Sequence, residues 1–144
     1  MRPWVGVAVA LVVLIFATAG CGELSRGELS RGVESLSALA AQGSLVAKGV
    51  ADDGTKSTYV RVMAKTLGGE AEHEAEKLAD AEPEEAVAAD RGRAVAVARE
   101  ISELFAELQT YPGDERHGAT VQAHMAASKA KADAIAEDLT GEEQ

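Results

Sequence analysis

Aromatic rings are scarce: one Trp, two Tyr and two Phe among 144 residues, 3% of the chain. A core built on large rings is therefore excluded, and whatever core exists must come from aliphatic side chains and alanine. Cysteine occurs once, at Cys21, so no disulfide can form within the chain. Basic side chains are outnumbered, 14 against 24 acidic ones, for a net charge of −10. Nucleic acid is excluded as a partner on that ground, because binding phosphate needs the opposite sign. No apolar run reaches the roughly 18 to 20 residues that a bilayer span requires. No strand is expected, and neither a Gly-x-Ser-x-Gly elbow nor a phosphate-cradling glycine loop occurs. The three histidines are dispersed along the chain. An enzyme is not expected, and no cofactor is implied.

What the chain does have begins with an address. Met1-Arg2-Pro3-Trp4 is a short basic start, Val5 to Phe16 is apolar, and Ala17-Thr18-Ala19-Gly20 is a run of small residues before Cys21. That order is a secretory signal over residues 1–20. Thr18-Ala19-Gly20-Cys21 resembles the lipobox of bacterial lipoproteins, with Thr18 standing where that family usually has Leu. The resemblance covers the signal and its junction alone, and it implies cleavage before Cys21 and attachment of a diacylglyceryl group to its thiol. Membrane lipid then becomes a partner through Cys21, on the extracytoplasmic face of a cell membrane or outer membrane.

Residues 21–32 read as the lipidated cysteine and a tether, since Gly-Glu-Leu-Ser-Arg occurs twice, at 22–26 and 27–31, without making a repeat architecture. Eleven extended residues reach at most about 36 to 40 Å. Residues 33–140 read as the folded domain and 141–144 as a disordered tail. Four apolar stripes with helical spacing occupy that domain. The first is Val33, Leu36, Ala40, Gly43, Ala47 and Val50, closed by Gly54 as a C-cap. The second, capped by Thr55 or Ser57, is Val60, Ala64, Leu67, Ala71, Ala75 and Leu78, with a kink expected at Gly68-Gly69. Pro83 opens the third, which holds Val87, Ala94, Ile101, Leu104, Phe105 and Leu108. Asp114 caps the fourth, with Val121, Met125, Ser128, Ala132, Ile135 and Leu139. Short connections favour antiparallel neighbours, so the expected fold is an all-α, antiparallel up-down four-helix bundle. With 29 alanines in the chain its seam is thin and its stability modest.

That topology sorts the side chains by end. Loops at 51–56 and 110–114 fall far from the tether, gathering Tyr59, Met63, Phe105, Tyr111 and His117. Tyr59, Phe105, Tyr111 and His117 are accordingly the candidate partner-binding residues, for a protein partner or self-association, because interfaces select large amphipathic side chains. The bland alternative is that they close the end of the bundle. The end near the tether is acidic, with Glu72, Glu74, Glu76, Asp80, Glu82, Glu84 and Glu85 joined by Glu137, Asp138, Glu142 and Glu143. It reads as a solvated face, with weak binding of divalent cations as the sharper alternative. Glu70-Ala71-Glu72-His73 has the Glu-x-x-His spacing of di-iron bundles, but His73 points away from the stripe, so no metal site is expected. The expected role is binding or structural support in the cell envelope; a small-ligand or divalent-metal-binding helical lipoprotein is the alternative.

Overall fold

The computed structural model describes residues 23–141, so the signal segment, Cys21 and the last residues of the expected tail, 142–144, lie outside the described residues. Four α-helices account for nearly all of the rest: α1 Arg26–Ala51, α2 Ser57–Asp80, α3 Ala88–Thr110 and α4 Glu115–Gly141. A short 3-10 turn, Glu85–Val87, leads into α3.

α1 starts two turns earlier than the expected boundary at Val33, inside the segment read as a tether. The cause is a capping box: the Ser25 backbone N–H donates to Glu28 Oε2 at 3.0 Å, and the Glu28 N–H donates to Ser25 Oγ at 3.4 Å. Leu29 and Gly32 then extend the buried stripe backwards from Val33. Leu24 is buried too, and its N–H donates to the Glu82 carbonyl at 2.6 Å while its carbonyl accepts from the Glu84 N–H at 3.3 Å. The chain before α1 is thus stitched to the turn between α2 and α3.

The end of α1 also differs from expectation. The Gly54 N–H reaches back to the Gly49 carbonyl at 3.0 Å and the Asp53 N–H to Val50 at 3.1 Å, the double bond of a Schellman motif. Its left-handed position is held by Asp53, at φ 49°, and not by Gly54. α2 has Lys56 at its cap and no side-chain cap bond, so neither Thr55 nor Ser57 serves, and it runs unbroken as one helix through Gly68-Gly69. Pro83 stays outside α3, where its bridge to Leu24 holds it. Asp114 caps α4 as expected, its Oδ1 accepting from the His117 N–H at 3.0 Å.

Every residue of the four expected stripes is buried. α1 packs most extensively on α4, and α2 on α3. Between α1 and α4 the contacts run Arg26 to Leu139, Ser37 to Asp133, Gly43 to Met125 and Val50 to Gly118. Glycine makes the last two possible: a Cβ on Gly118 would lie 2.7 Å from the Ala51 backbone nitrogen, and one on Gly43 would lie 2.7 Å from Met125 Cε. Two arginines close the end where the chain enters. Arg91 donates to the carbonyls of Leu78 at 2.8 Å, Ala81 at 3.1 Å and Ala79, satisfying the carbonyls that the end of α2 leaves open. Arg26 Nη1 does the same for Leu139 of α4 at 3.0 Å.

Candidate functional site

Of the expected partner-binding residues, two stack on each other, a third lies at the same end and the fourth is in the core. Tyr111 follows α3, His117 lies in the first turn of α4, and their rings stack at 4.0 Å between centroids, 17° from parallel. The stack forms because Asp114 fixes the start of α4: its carboxylate takes the His117 backbone N–H and also lies 3.2 Å from His117 Nδ1. Those two contacts, the backbone one first, hold the Asp114 carboxyl below its ordinary range. Tyr59 sits in the first turns of α2 at the same end, because the turn carrying Gly113 rests against Ser57, with 2.9 Å between Ser57 Oγ and a Cβ built on Gly113. Tyr59 is 54% exposed and Tyr111 44%, so both rings are open to a partner.

Phe105 is a correction. It is fully buried, its ring tip facing Gly43 of α1 and its Cβ facing Gly68 of α2. Those two glycines leave a hole in the middle of the bundle, and the one large ring of α3 fills it. It is therefore a core residue with no surface to offer. Glu74 is a second departure, from the solvated acidic face to a buried site, 9% exposed, beside Gly32 and 3.3 Å from Lys77 Nζ. Gly32 accommodates it, since a Cβ there would come 2.8 Å from Glu74 Oε1.

Two large aliphatic residues that the stripe pattern passed over are also exposed, Val62 of α2 at 59% and Leu45 of α1 at 71%. The signal for Val62 lies in the sequence: it sits between Tyr59 and Thr66 at spacings of three and four, on the side of α2 opposite its core stripe.

The acidic end is less uniformly negative than composition alone implied. Arg93 bridges Asp90 and Asp138, the latter at 2.7 Å, and Arg26 and Arg91 lie close by on helix carbonyls. A surface groove of about 430 Å³ between α2 and α3 carries Glu72, Glu76, Asp80 and Glu103 around Arg99. Among the described residues no group of three or more His, Cys, Asp or Glu is arranged to hold a metal ion. No helix among them is long and apolar enough to cross a membrane. Cys21 lies outside the described residues. No protein family matches the chain, and neither curated proteins nor solved structures yield a match.

Proposed function

We propose that the chain is a lipid-anchored extracytoplasmic protein that acts by binding, or as a structural element of the cell envelope, and not as an enzyme. The observation that carries this reading is the small-residue junction Thr18-Ala19-Gly20-Cys21 at the end of an apolar signal, placed immediately before a folded body. The bundle begins at Leu24 and Ser25, so only Gly22 and Glu23 separate Cys21 from Leu24, three Cα-to-Cα steps with a reach of at most about 10 to 11 Å. That is little more than one Debye length at physiological salt, about 8 Å. The end carrying Leu24, Glu82 and Glu84 is therefore held next to the lipid by a short link, and Tyr59 and Tyr111 lie at the opposite end. An antiparallel up-down order of the helices is the reading favoured by contacts in which α1 residues of rising number meet α4 residues of falling number, Arg26 with Leu139 and Val50 with Gly118.

Labelling cells with a radioactive fatty acid tests the anchor. The full chain is expected to take up label and to fractionate with membranes, and Cys21→Ser is expected to lose both. Label retained by Cys21→Ser would overturn the assignment.

A further inference from the structure

The solvent face of α2 carries a pattern that the fold of one copy does not use. Opposite its buried stripe run Val62, Thr66, Gly69 and His73, all exposed, at spacings of four, three and four. Along one flank of that line lie Arg61 and Lys65 in the first half of the helix, then Glu72 and Glu76 in the second. At 100° per residue these four fall within about 60° of one another around the axis. Each pair sets like charges four residues apart, which weakens a helix. The order also opposes the helix dipole: the first turn holds no acidic residue, and acid crowds the second half. None of the four makes an ion pair or hydrogen bond among the described residues. Gly69 adds a further unexplained cost, because a Cβ there would touch nothing within 4 Å.

All of these features are accounted for by a second copy of the same helix, and we infer that the exposed face of α2 is a two-fold self-association surface. In an antiparallel pair of helices each flank meets its own counterpart, so the basic half of one flank faces the acidic half of the other. Lys65 then meets Glu72 of the second copy, and Arg61 meets Glu76, while both reciprocal pairs form at once, as a closed two-fold interface requires. The axis falls beside Gly68-Gly69, where the missing side chain of Gly69 lets the two backbones approach and Thr66 packs on it. Val62 meets His73. A parallel two-fold would instead set this flank against the opposite one, which carries Tyr59, Glu70 and Lys77, and would leave the four charges without one another as partners. At 24 residues the helix is about 36 Å long, so the contact belongs at the small end of specific interfaces. Antiparallel pairing turns the two Leu24 ends away from each other, so copies on one membrane meet in this way when they lie along it. This inference names the partner for the binding role proposed above but does not depend on the lipid anchor.

The test is site-directed crosslinking of the full chain, in membranes and in mild detergent, with a short bismaleimide and the parent carrying Cys21 alone as the baseline. Val62→Cys and His73→Cys chains produced together are expected to form crosslinked mixed dimers at least tenfold above Ala127→Cys, an exposed position on α4. Val62→Cys alone is expected to stay at baseline, since its two copies would sit about 16 Å apart along the axis at 1.5 Å per residue. Lys65→Glu, introduced into both cysteine chains, should cut the mixed product at least tenfold, and Lys65→Glu with Glu72→Lys should restore it, with circular dichroism reporting unchanged helicity throughout. Mixed product no higher than the α4 control, self-crosslinking of Val62→Cys as strong as the mixed reaction, or failure of the charge swap to rescue would each overturn the two-fold. Loss of fatty-acid label with crosslinking intact would remove the anchor and leave the interface standing.

Discussion

Replacing Gly118 with alanine should destabilise the bundle even though alanine is the better helix former. The two effects oppose and their sizes decide the sign. Alanine gains about 1 kcal/mol over glycine in a helix interior. Against that, the new Cβ would stand 2.7 Å from the Ala51 nitrogen and 2.9 Å from both Cβ and Cγ1 of Val50. Ordinary carbon contacts lie at about 3.5 to 4.0 Å, so the start of α4 must back away from the end of α1 by most of an ångström. The obstacle is backbone and a β-branched side chain, neither of which swings aside, so the cost belongs near the top of the overpacking range, about 3 kcal/mol. The expected net loss is about 2 kcal/mol, or about 8 °C in Tm for a domain of this size. Gly92→Ala in α3 is the internal control, since a Cβ there meets nothing within 4 Å. It should raise Tm by about 4 °C through helix propensity alone. Thermal and urea unfolding followed at 222 nm give both numbers, and the m-value should not change. If the two variants shift Tm in the same direction by similar amounts, the close approach of α1 and α4 at Gly118 is refuted.

Three more outcomes follow from single sites. Asp53 occupies the left-handed cap position at φ 49°, with Asp52 adding negative charge at the negative end of α1. Asp53→Gly should therefore stabilise by about 1 kcal/mol in chemical denaturation, and Asp53→Ala should not. Ser128 Oγ is buried without a hydrogen-bond partner among the described residues, so Ser128→Ala should gain about 1 kcal/mol, since an unsatisfied buried hydroxyl costs about that much or more; a loss of stability would show that the hydroxyl has a partner. Glu28 and Asp114 are held below the ordinary carboxylate range, the first by its bonds to Ser25 and the second by its bonds to His117. Because the folded pKa values are depressed, the stability they contribute is complete above the unfolded value of about 4 and is lost as pH falls through the folded values. Melting temperatures at pH 7, 5 and 3 should fall more steeply at the acid end for the parent than for Glu28→Gln with Asp114→Asn, in which amides keep the caps without titrating.

The helical stripes were legible because their spacing is a property of the chain itself: Val60, Ala64, Leu67, Ala71, Ala75 and Leu78 must share a face once the segment is helical. The start of α1 was legible too, in Ser25-x-x-Glu28, but the five-residue duplication argued for a spacer. What decides it is Leu24, whose bonds to Glu82 and Glu84 bring in a turn some 60 positions away, and no local pattern contains that contact. Phe105 was misplaced for the same reason: its ring is buried by glycines on two other helices, Gly43 and Gly68. Asp53 taking the left-handed position beside an available Gly54 depends on where the last turn of α1 ends, which α4 sets by packing Gly118 against Val50 and Ala51. At the candidate site, the rings of Tyr59, Tyr111 and His117 were legible as one end, and the charge order along the outer face of α2 was readable in the letters once its inner face was known.

The pairing of α1 with α4 also orders events in time. Arg26 and Leu139 are 113 positions apart, so during synthesis from the N-terminus α2 and α3 can close across their short turn long before α1 has its main partner. Until the last helix emerges, the stripe of Leu29, Val33, Leu36 and Ala40 has little to cover it, and joining ends so far apart in sequence is the slow kind of contact. A chain stopped before residue 115 would carry that stripe open, with α2 and α3 packed on each other beside it, which is the kind of surface that chaperones and proteases detect. α4 thus serves as the check that the bundle has been completed.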